Sequence, residues 1–389
     1  MKTIILQFYS SLNFGDDLFV KTFSDYFDEC AIRLIVNPRC IPHGLGKNVT
    51  VHPYSYINFF WEKLRSLSEH SRKIEAVVQK CADFCLSRVQ SHADAFVLIG
   101  GSIFMEHAMD CPELDFTARA RPDFTIRSHM QNRGNAFVIG ANLGPAYSEG
   151  YWTSVRQTLL KYKHVCLRDY ASYSMVSDLP HVQYAPDILF MVPKPNVKAE
   201  RKTVVISVMD ISRMTRNQEI ITAYYRLLCD VADRFSQMGM AVTLVSLCGA
   251  DGDEEAAQKI IAGGGTFVHR VSTCFYRGDM QPILELFAKA SFVVASRFHS
   301  LIFALSFGKP VFPIVYNCKT AHYLQDLQFS GNYSDLNSLP KTSCADVLYN
   351  FEKNIVTDCQ EHKQYAENQF LALREYLEES PSTVAPAGF

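Results

Sequence analysis

The sequence predicts an α/β protein with two domains that face a cleft, and three observations lead to this prediction. Short apolar runs alternate with longer helix-like segments, which is the pattern of parallel sheets whose strands are joined by helices. The chain has 389 residues, more than one hydrophobic core usually serves. The segment Met191–Lys202, with two prolines and a run of charge, separates two complete sets of strands and helices.

The candidate strands fall on either side of this boundary. The strands expected in the first half are Thr3–Phe8, Ala31–Val36, Ala95–Ile99, Ala136–Ile139 and Val165–Leu167. Those expected in the second half are Thr203–Val208, Ala241–Ser246, Phe292–Ala295 and Val311–Val315. Helical patterns lie between them, for example over Ile220–Gln237 and Gln281–Ala290.

The domains follow from these elements. We expect a first domain over residues 1–192, a second over 203–345, and a C-terminal helix and tail over 346–389. The helix in that last part is predicted from the amphipathic pattern of Cys359–Glu378. The strongly aromatic stretch Tyr54–Arg88 is expected to be a core-facing helix, with a lid or a surface for a lipid-linked molecule as the alternative.

Composition excludes several function classes. The formal net charge is −2, so neither nucleic acid nor an anionic membrane surface is indicated as a partner, and any anion site must be local. The 12 cysteines are scattered without a CxxC motif, which favours free thiols in a reducing compartment. The first residues lack the features of a secretory signal, and no metal-ligand spacing stands out. We therefore expect a cytoplasmic protein without a metal.

The loop after the first strand carries two aspartates. In open α/β sheets, ligands bind where strands end and helices begin. Asn13 and Gly15 suit a tight turn there. Asp16 or Asp17 could cap the next helix, or could orient or deprotonate a hydroxyl group of a ligand.

Two further loops of the first half are rich in glycine. Gly100 and Gly101 follow a buried strand and would let a ligand approach the backbone, and Ser102 could cap a helix or donate to a phosphate. At Asn142 and Gly144 a simple turn is favoured.

Arg168 stands at the carboxyl end of a short apolar strand. An arginine there is well placed for a bidentate contact with a carboxylate or phosphate, although a salt bridge with the adjacent Asp169 is the alternative. Asp187 is expected to be a structural cap or turn residue.

The segment Ser291–Leu327 contributes most to the functional prediction. A buried strand ends in Ser296–Arg297–Phe298–His299–Ser300, and an apolar helix follows. Lys319 stands at the end of the neighbouring strand, on the same edge. Two cations and a titratable imidazole near a helix N-terminus predict a site for an anionic ligand.

At this segment the sequence resembles the polysaccharide pyruvyl transferase family. The pattern S-R-F-H-S, L-I-F-A-L, G-K-P-V, V-Y and K-T stands at Ser296–Ser300, Leu301–Leu305, Gly308–Val311, Val315–Tyr316 and Lys319–Thr320. Upstream, in the expected order, are Asn13–Asp16, Gly100–Gly101, Leu167–Ser172 and Ala185–Asp187. The chain departs from the pattern at Ser102, where many members have a third glycine, and at Cys318.

The resemblance implies a fold and an activity. The implied fold is two Rossmann-like domains facing a cleft, as in GT-B glycosyltransferases, with the C-terminal helix crossing back to the first domain. The implied activity moves the enolpyruvyl group of phosphoenolpyruvate onto sugar hydroxyls of a polysaccharide or its precursor, forming a pyruvate ketal. Phosphoenolpyruvate would be a co-substrate, with no other cofactor, and an exopolysaccharide of a bacterial surface is the expected context.

Residue roles follow from the resemblance together with the chemistry of the donor. Arg168, Arg297 and Lys319 would bind the phosphate and carboxylate, beside Ser296 and Phe298. A histidine that is charged near neutrality suits a general acid, so His299 is assigned that role, with Asp16 acting on the acceptor hydroxyl. The residues expected on the acceptor side or in its loops are Asn13, Gly15, Asp17, Gly100, Gly101, Ser102 and Asn142.

Two other functions are compatible with this fold. A GT-B glycosyltransferase with a nucleotide-sugar donor would use Arg297 and Lys319 on a diphosphate. A non-catalytic binding protein is disfavoured because Arg297, His299 and Lys319 are all present. The saccharide acceptor, its lipid linkage, and peripheral contact with the inner face of the membrane are left open.

Overall fold

The computed structural model describes residues 1–53, 55–56, 93–106, 134–144, 149–198, 200, 202–264 and 271–380. Helices and strands are numbered along these residues. The aromatic stretch Tyr54–Arg88 falls, apart from Ser55 and Tyr56, outside the described residues, so its predicted helix stays a prediction.

The first domain is built on a seven-stranded parallel sheet. Its strands are β1 (Thr3–Gln7), β2 (Ala31–Ile35), β3 (Val49–Val51), β4 (Ala95–Ile99), β5 (Ala136–Ala141), β6 (His164–Leu167) and β7 (Val182–Tyr184). Their order is β3-β2-β1-β4-β5-β6-β7. The direction of winding therefore reverses between β1 and β4, which places a ligand crevice at the carboxyl ends of these two strands.

The second domain repeats this arrangement in six parallel strands. They are β8 (Thr203–Ser207), β9 (Ala241–Ser246), β10 (Val271–Phe275), β11 (Phe292–Ala295), β12 (Val311–Val315) and β13 (Ser334–Asp335). The order is β10-β9-β8-β11-β12-β13, with the reversal between β8 and β11. Two Rossmann-like domains are thus confirmed.

Helices connect the strands in both domains, and three more follow the last strand in the described part of the chain. They are α1 (Phe14–Tyr26), α2 (Glu149–Leu159), α3 (Tyr170–Ser174), α4 (Gln218–Gln237), α5 (Asp253–Gly263), α6 (Gln281–Lys289), α7 (Phe298–Ser306), α8 (Cys318–Asp326), α9 (Cys344–Glu352), α10 (Gln360–Tyr365) and α11 (Asn368–Glu379). Side-chain caps start several of them: Asn13 accepts from the Gly15 N–H in α1, and Asn317 accepts from the Thr320 N–H in α8.

One apolar core joins the two domains. It contains residues of β1 and α1 from the first domain and residues of β11 and α7 from the second. The ring of Phe14 lies 5.3 Å from the rings of both Phe303 and Tyr276. The start of α1 is also fixed to the second domain, because the Phe14 N–H donates to the Leu247 carbonyl at 2.9 Å. The switch points of the two sheets therefore face each other across a closed interface.

The C-terminal helix crosses back to the first domain, as predicted. Gln369 accepts from the Gly140 N–H at 2.9 Å and donates to the Ala185 carbonyl at 2.7 Å. Phe370 packs against the rings of Phe23 and Phe27.

The predicted single helix Cys359–Glu378 is wrong in one respect. The segment forms two helices, α10 and α11, and i→i+3 hydrogen bonds from Gln369 to Ala366 and from Phe370 to Glu367 tighten the turn between them.

The structure places the inter-domain connection after β7, which ends at Tyr184, and before β8, which begins at Thr203. A 3₁₀ helix, Ile188–Met191, lies between them and packs into the shared core. Helix α9, most of which lies in the predicted C-terminal segment 346–389, packs on the second domain through Phe351 against Phe235 and Phe292. The return to the first domain therefore begins after Glu352.

Candidate active site

Side chains from four strand ends meet where the two domains face each other. Asp16 lies in the first turn of α1, after β1, and Arg168 follows β6. His299 lies in the first turn of α7, after β11, and Lys319 lies in the first turn of α8, after β12. Because carboxyl ends of parallel strands share one edge, the topology gathers these groups from distant parts of the chain.

Arg168 is buried and its guanidinium is fixed on several sides. Nη1 donates to Asp187 at 2.9 Å, and Nη2 donates to the Asn142 side-chain oxygen at 2.8 Å. The guanidinium also lies over the Phe298 ring, 4.4 Å from its centroid. The alternative partner, Asp169, instead caps α3 by accepting from the Ser172 N–H.

The glycine loop after β4 is shaped to receive this arginine. A Cβ added to Gly101 would lie 2.2 Å from Nη2 of Arg168, so no larger residue fits without moving the guanidinium. Gly100 has φ +145°, a conformation that residues with side chains rarely adopt. The sequence predicts that these glycines let a ligand approach the backbone. In the structure, the group that lies against Gly101 is the guanidinium of Arg168.

Lys319 reaches across the interface from the second domain. Its Nζ donates to the Ser102 hydroxyl at 2.5 Å and lies 5.6 Å from the centroid of the Phe298 ring. Burial and the charge of Arg168 together lower the pKa of Lys319 to about 7, although Asp16 opposes the shift. Lys319 is therefore poised to gain or lose its proton near neutral pH.

Asp16 is a buried carboxyl group on which the charges of both Arg168 and Lys319 act. Burial raises the pKa of Asp16 to about 7, although Arg168 and Lys319 both act to lower it. A carboxyl that titrates near neutrality suits proton transfer to or from a hydroxyl.

His299 packs tightly against the start of α1. A Cβ added to Gly15 would lie 1.8 Å from Nδ1 of His299, and the Phe19 ring lies 5.6 Å from the imidazole. Its Nε2 is buried and has no hydrogen-bond partner among the residues that the structure describes. Burial lowers the pKa of His299 well below its usual value, and Arg168, Lys319 and Arg297 lower it further. The expectation that this imidazole is charged near neutrality is therefore wrong for the ligand-free protein.

Arg297 and Ser296 have supporting contacts. The Arg297 Nε donates to both carboxylate oxygens of Asp253 at 3.1 Å, and Nη1 donates to Asp251 at 2.9 Å. Burial lowers the pKa of Arg297, but Asp253 outweighs this effect, so the guanidinium stays charged. Ser296 accepts from the Tyr224 hydroxyl at 3.0 Å. Direct donor binding by these two residues stays a prediction, and their contacts favour an indirect role.

Two of the expected acceptor-side residues instead join the domains. Asp17 is buried and accepts from the Tyr276 hydroxyl at 2.6 Å, and burial raises the pKa of Asp17 to about 7. Asn13 caps α1 and pairs with Cys248 of the second domain.

Sequence reasoning missed several partners. Asp187 was expected to be a cap, and it does cap the 3₁₀ helix, but it also holds Arg168. Asn142 was expected to be a turn residue and also binds Arg168. Asp251, Asp253 and Tyr276 were not singled out at all.

The fold and site define a two-domain protein of the GT-B-like type with a buried, cation-rich centre. A family model described as polysaccharide pyruvyl transferase matches residues 13–317, and the chain belongs to that family. The match includes Asp16, Arg168 and His299 and ends two residues before Lys319. No curated protein sequence matches the chain.

Solved structures show the same fold. A UDP-GlcNAc 2-epimerase from Neisseria meningitidis, bound to UDP-GlcNAc, superposes with a TM-score of 0.57 and 10% identity, covering 98% of this chain and 100% of that one. MnaA from S. aureus, in a structure with UDP, gives a TM-score of 0.56 and 12% identity over 99% and 100% of the two chains. At these identities the likeness concerns the fold alone.

Two searches of the described residues bear on location and metals. None of the helices in this part of the chain is long and apolar enough to cross a membrane. Within the same residues, no group of three or more His, Cys, Asp or Glu side chains is placed to hold a metal ion.

Proposed function

We propose that this protein transfers the enolpyruvyl group of phosphoenolpyruvate to a sugar hydroxyl of a polysaccharide or its precursor. The observation that carries the proposal is the approach of Arg168 and Lys319 to one aromatic ring, Phe298, with His299 beside it. Phosphoenolpyruvate carries a phosphate and a carboxylate, and a site for it needs several cations in a small volume.

Electrostatics explain why such a ligand would suit the site. Arg168 lowers the pKa of Lys319, and both cations lower the pKa of His299. A bound dianion would oppose these effects and raise the pKa of both Lys319 and His299. Donor binding would thus favour the protonated form of His299, which the reaction needs. The low pKa of His299 in the free protein is therefore compatible with its role as a general acid.

The reaction can then be written with the residues present. His299 gives its proton to the methylene carbon of phosphoenolpyruvate while the acceptor oxygen bonds to the adjacent carbon, and Asp16 takes the proton of that hydroxyl. A second hydroxyl of the same sugar then bonds to that carbon and displaces phosphate, which takes up the hydroxyl proton and leaves as inorganic phosphate, so that the pyruvate ketal closes. Arg168 and Lys319 stabilise the charge on the phosphate and carboxylate throughout.

The acceptor and the setting are part of the proposal. Membership of the family is consistent with a saccharide acceptor. We propose that the protein acts in the cytoplasm, where phosphoenolpyruvate is made, and a lipid-linked acceptor would bring it to the inner face of the membrane.

Ligand-induced stabilisation tests the donor. A ligand at about 100 times its dissociation constant adds about 2.7 kcal/mol to stability, which raises the melting temperature measurably. We expect stabilisation by phosphoenolpyruvate that is lost in Lys319→Ala and kept in Arg156→Ala, which removes only a surface ion pair with Asp178. Stabilisation by UDP-GlcNAc alone would instead favour a glycosyltransferase or another nucleotide-sugar enzyme.

Turnover tests the acid. His299→Gln should fold and bind phosphoenolpyruvate normally. In the presence of an acceptor, however, it should release inorganic phosphate at a greatly reduced rate. Near-normal phosphate release would exclude His299 as the proton donor.

A further inference from the structure

We propose that Ser102 and Asn142 are positioning residues that join the two cations, Arg168 and Lys319, into one donor-binding unit across the domain interface. On this proposal the donor site is complete only when the two domains are in contact. The inference rests on the proposed function, because it takes the anionic donor as the ligand of the two cations, and it reassigns both residues from the acceptor side to the donor side.

A continuous set of hydrogen bonds links the two cations. Lys319 Nζ donates to the Ser102 hydroxyl at 2.5 Å, and that hydroxyl lies 3.4 Å from the Asn142 side-chain oxygen, to which it donates. The same oxygen accepts from Arg168 Nη2 at 2.8 Å. The side-chain oxygen of Asn142 therefore accepts directly from Arg168, and it is linked to Lys319 through the Ser102 hydroxyl.

Asn142 is held so that its oxygen faces the donors. Its backbone N–H donates to the Gly101 carbonyl at 2.9 Å, and its side-chain nitrogen donates to the Gly144 carbonyl at 3.3 Å. The residue is 1% exposed, so rotation of the amide would bury the nitrogen against the arginine N–H groups. The orientation of this side chain is therefore set by its surroundings before any ligand arrives.

The Ser102–Lys319 contact crosses between domains. Ser102, Asn142 and Arg168 belong to the first domain, whereas Lys319 belongs to α8 of the second. If the domains part, Lys319 loses its hydroxyl acceptor and moves, together with Phe298 of its own domain, away from Arg168. A small ligand with two anionic groups can then no longer meet both cations, which makes donor affinity dependent on closure.

Steady-state kinetics provide the first readout. In Ser102→Ala, Lys319 loses an acceptor for its ammonium group, and hydrogen bonds to charged groups are worth about 1.5–3 kcal/mol, so we expect KM for phosphoenolpyruvate to rise by about 10-fold or more. Ser102→Thr keeps the hydroxyl and should retain most of the affinity. In a Lys319→Ala background, Ser102→Ala should add little, because the partner is already gone.

A second readout does not depend on phosphoenolpyruvate. The pH dependence of acetic anhydride labelling at Lys319, followed by peptide mass spectrometry, gives its titration midpoint, expected at about 7 in the unaltered protein. Ser102→Ala should lower this midpoint, because the lost acceptor favoured the charged form. A serine with a merely structural role would change the melting temperature and leave the midpoint in place.

Ser246→Ala is the matched control. Ser246 lies at the end of β9, and its buried hydroxyl has no hydrogen-bond partner among the described residues, so its removal should change neither KM nor the midpoint of Lys319. An unchanged KM and midpoint in Ser102→Ala, with normal donor binding by the unaltered protein, would overturn the inference and leave the proposed function standing. A shifted midpoint in a protein that does not bind phosphoenolpyruvate would support the coupling and refute the proposed function.

Discussion

Replacing Gly15 by alanine tests whether the position of His299 determines catalysis. The added Cβ would lie 1.8 Å from Nδ1, 2.1 Å from Cε1 and 2.2 Å from Cγ of the imidazole. Since Cγ is itself too close, rotation about the ring's own axis cannot relieve the overlap. The side chain must change χ1, or α1 and α7 must separate.

The size of the effect follows from these distances. Ordinary contacts between such atoms are about 3.5–4.0 Å, so the ring must move by more than about 1 Å. A displacement of about 1 Å at a reacting group can reduce the rate about 100-fold, and overpacking costs about 1–3 kcal/mol of stability. We therefore expect Gly15→Ala to lower kcat about 100-fold and to lower the free energy of unfolding by about 1–3 kcal/mol.

The assay is phosphate release at saturating donor and acceptor, paired with urea denaturation. Gly150→Ala is the matched control, because a Cβ there meets no atom within 4 Å and alanine is favoured in a helix. In a His299→Ala background the stability cost of Gly15→Ala should largely disappear. Full activity in Gly15→Ala, or an undiminished cost without the ring, would refute this account of the site.

Three further changes test other parts of the structure. Because Lys319 loses its charge as pH rises through about 7, kcat/KM for the donor should fall there, and Lys319→Arg should reduce that fall in a pH profile from 5.5 to 9. Tyr276→Phe removes the donor that favours ionised Asp17, so its destabilisation should grow as pH rises through about 7, to about 1.5–3 kcal/mol in denaturation experiments. Gln369→Met removes the side-chain acceptor of the Gly140 N–H and the side-chain donor to the Ala185 and Pro186 carbonyls, and should cost about 2–4 kcal/mol by the same method.

Each of these predictions has its own comparison. Ionisation of Asp16, the proposed base, should raise kcat/KM over the same pH range in both proteins, so a profile that is the same in Lys319→Arg and in the unaltered protein would contradict the titration of Lys319. Tyr224→Phe removes a hydroxyl that meets Ser296 and not a carboxylate, so its cost should not depend on pH. Gln364→Met, at an exposed position of α10, should be nearly neutral. A pH-independent cost in Tyr276→Phe would refute the raised pKa of Asp17.

The strands that bury both faces were predicted from the sequence almost to the residue. Ala95–Ile99 and Phe292–Ala295 are continuous apolar runs, and the structure has them within the same bounds. Four strands were missed, namely β3, β7, β10 and β13, and each is short, polar or partly exposed. They complete the sheets at or near the edges, where backbone pairing decides the conformation and side-chain pattern gives little signal.

Sequence reasoning singles out candidate residues where chemistry is concentrated in one segment, as at Phe298 and His299, and the structure brings Phe298 against the buried Arg168. The contacts of a side chain that has several possible partners could not be predicted from the sequence. Arg168 could have paired with the adjacent Asp169, but only the folded chain shows that Asp187 and Asn142 hold it. Residues brought together by tertiary contacts leave no local pattern.

The charge state of His299 shows why an intrinsic pKa taken from sequence is insufficient. Near neutrality a free imidazole would be partly charged, yet burial and the nearby cations keep the ring neutral before a ligand arrives. The same cations would attract the dianion that restores its charge, so binding and protonation are thermodynamically linked. Because kcat/KM reports the free protein and kcat the bound complex, the two pH profiles should differ, with the limb assigned to His299 at higher pH in kcat. Coincident profiles would mean that the donor does not recharge the imidazole, and the proton would then have to come from Asp16, whose pKa of about 7 leaves it partly protonated in the free protein.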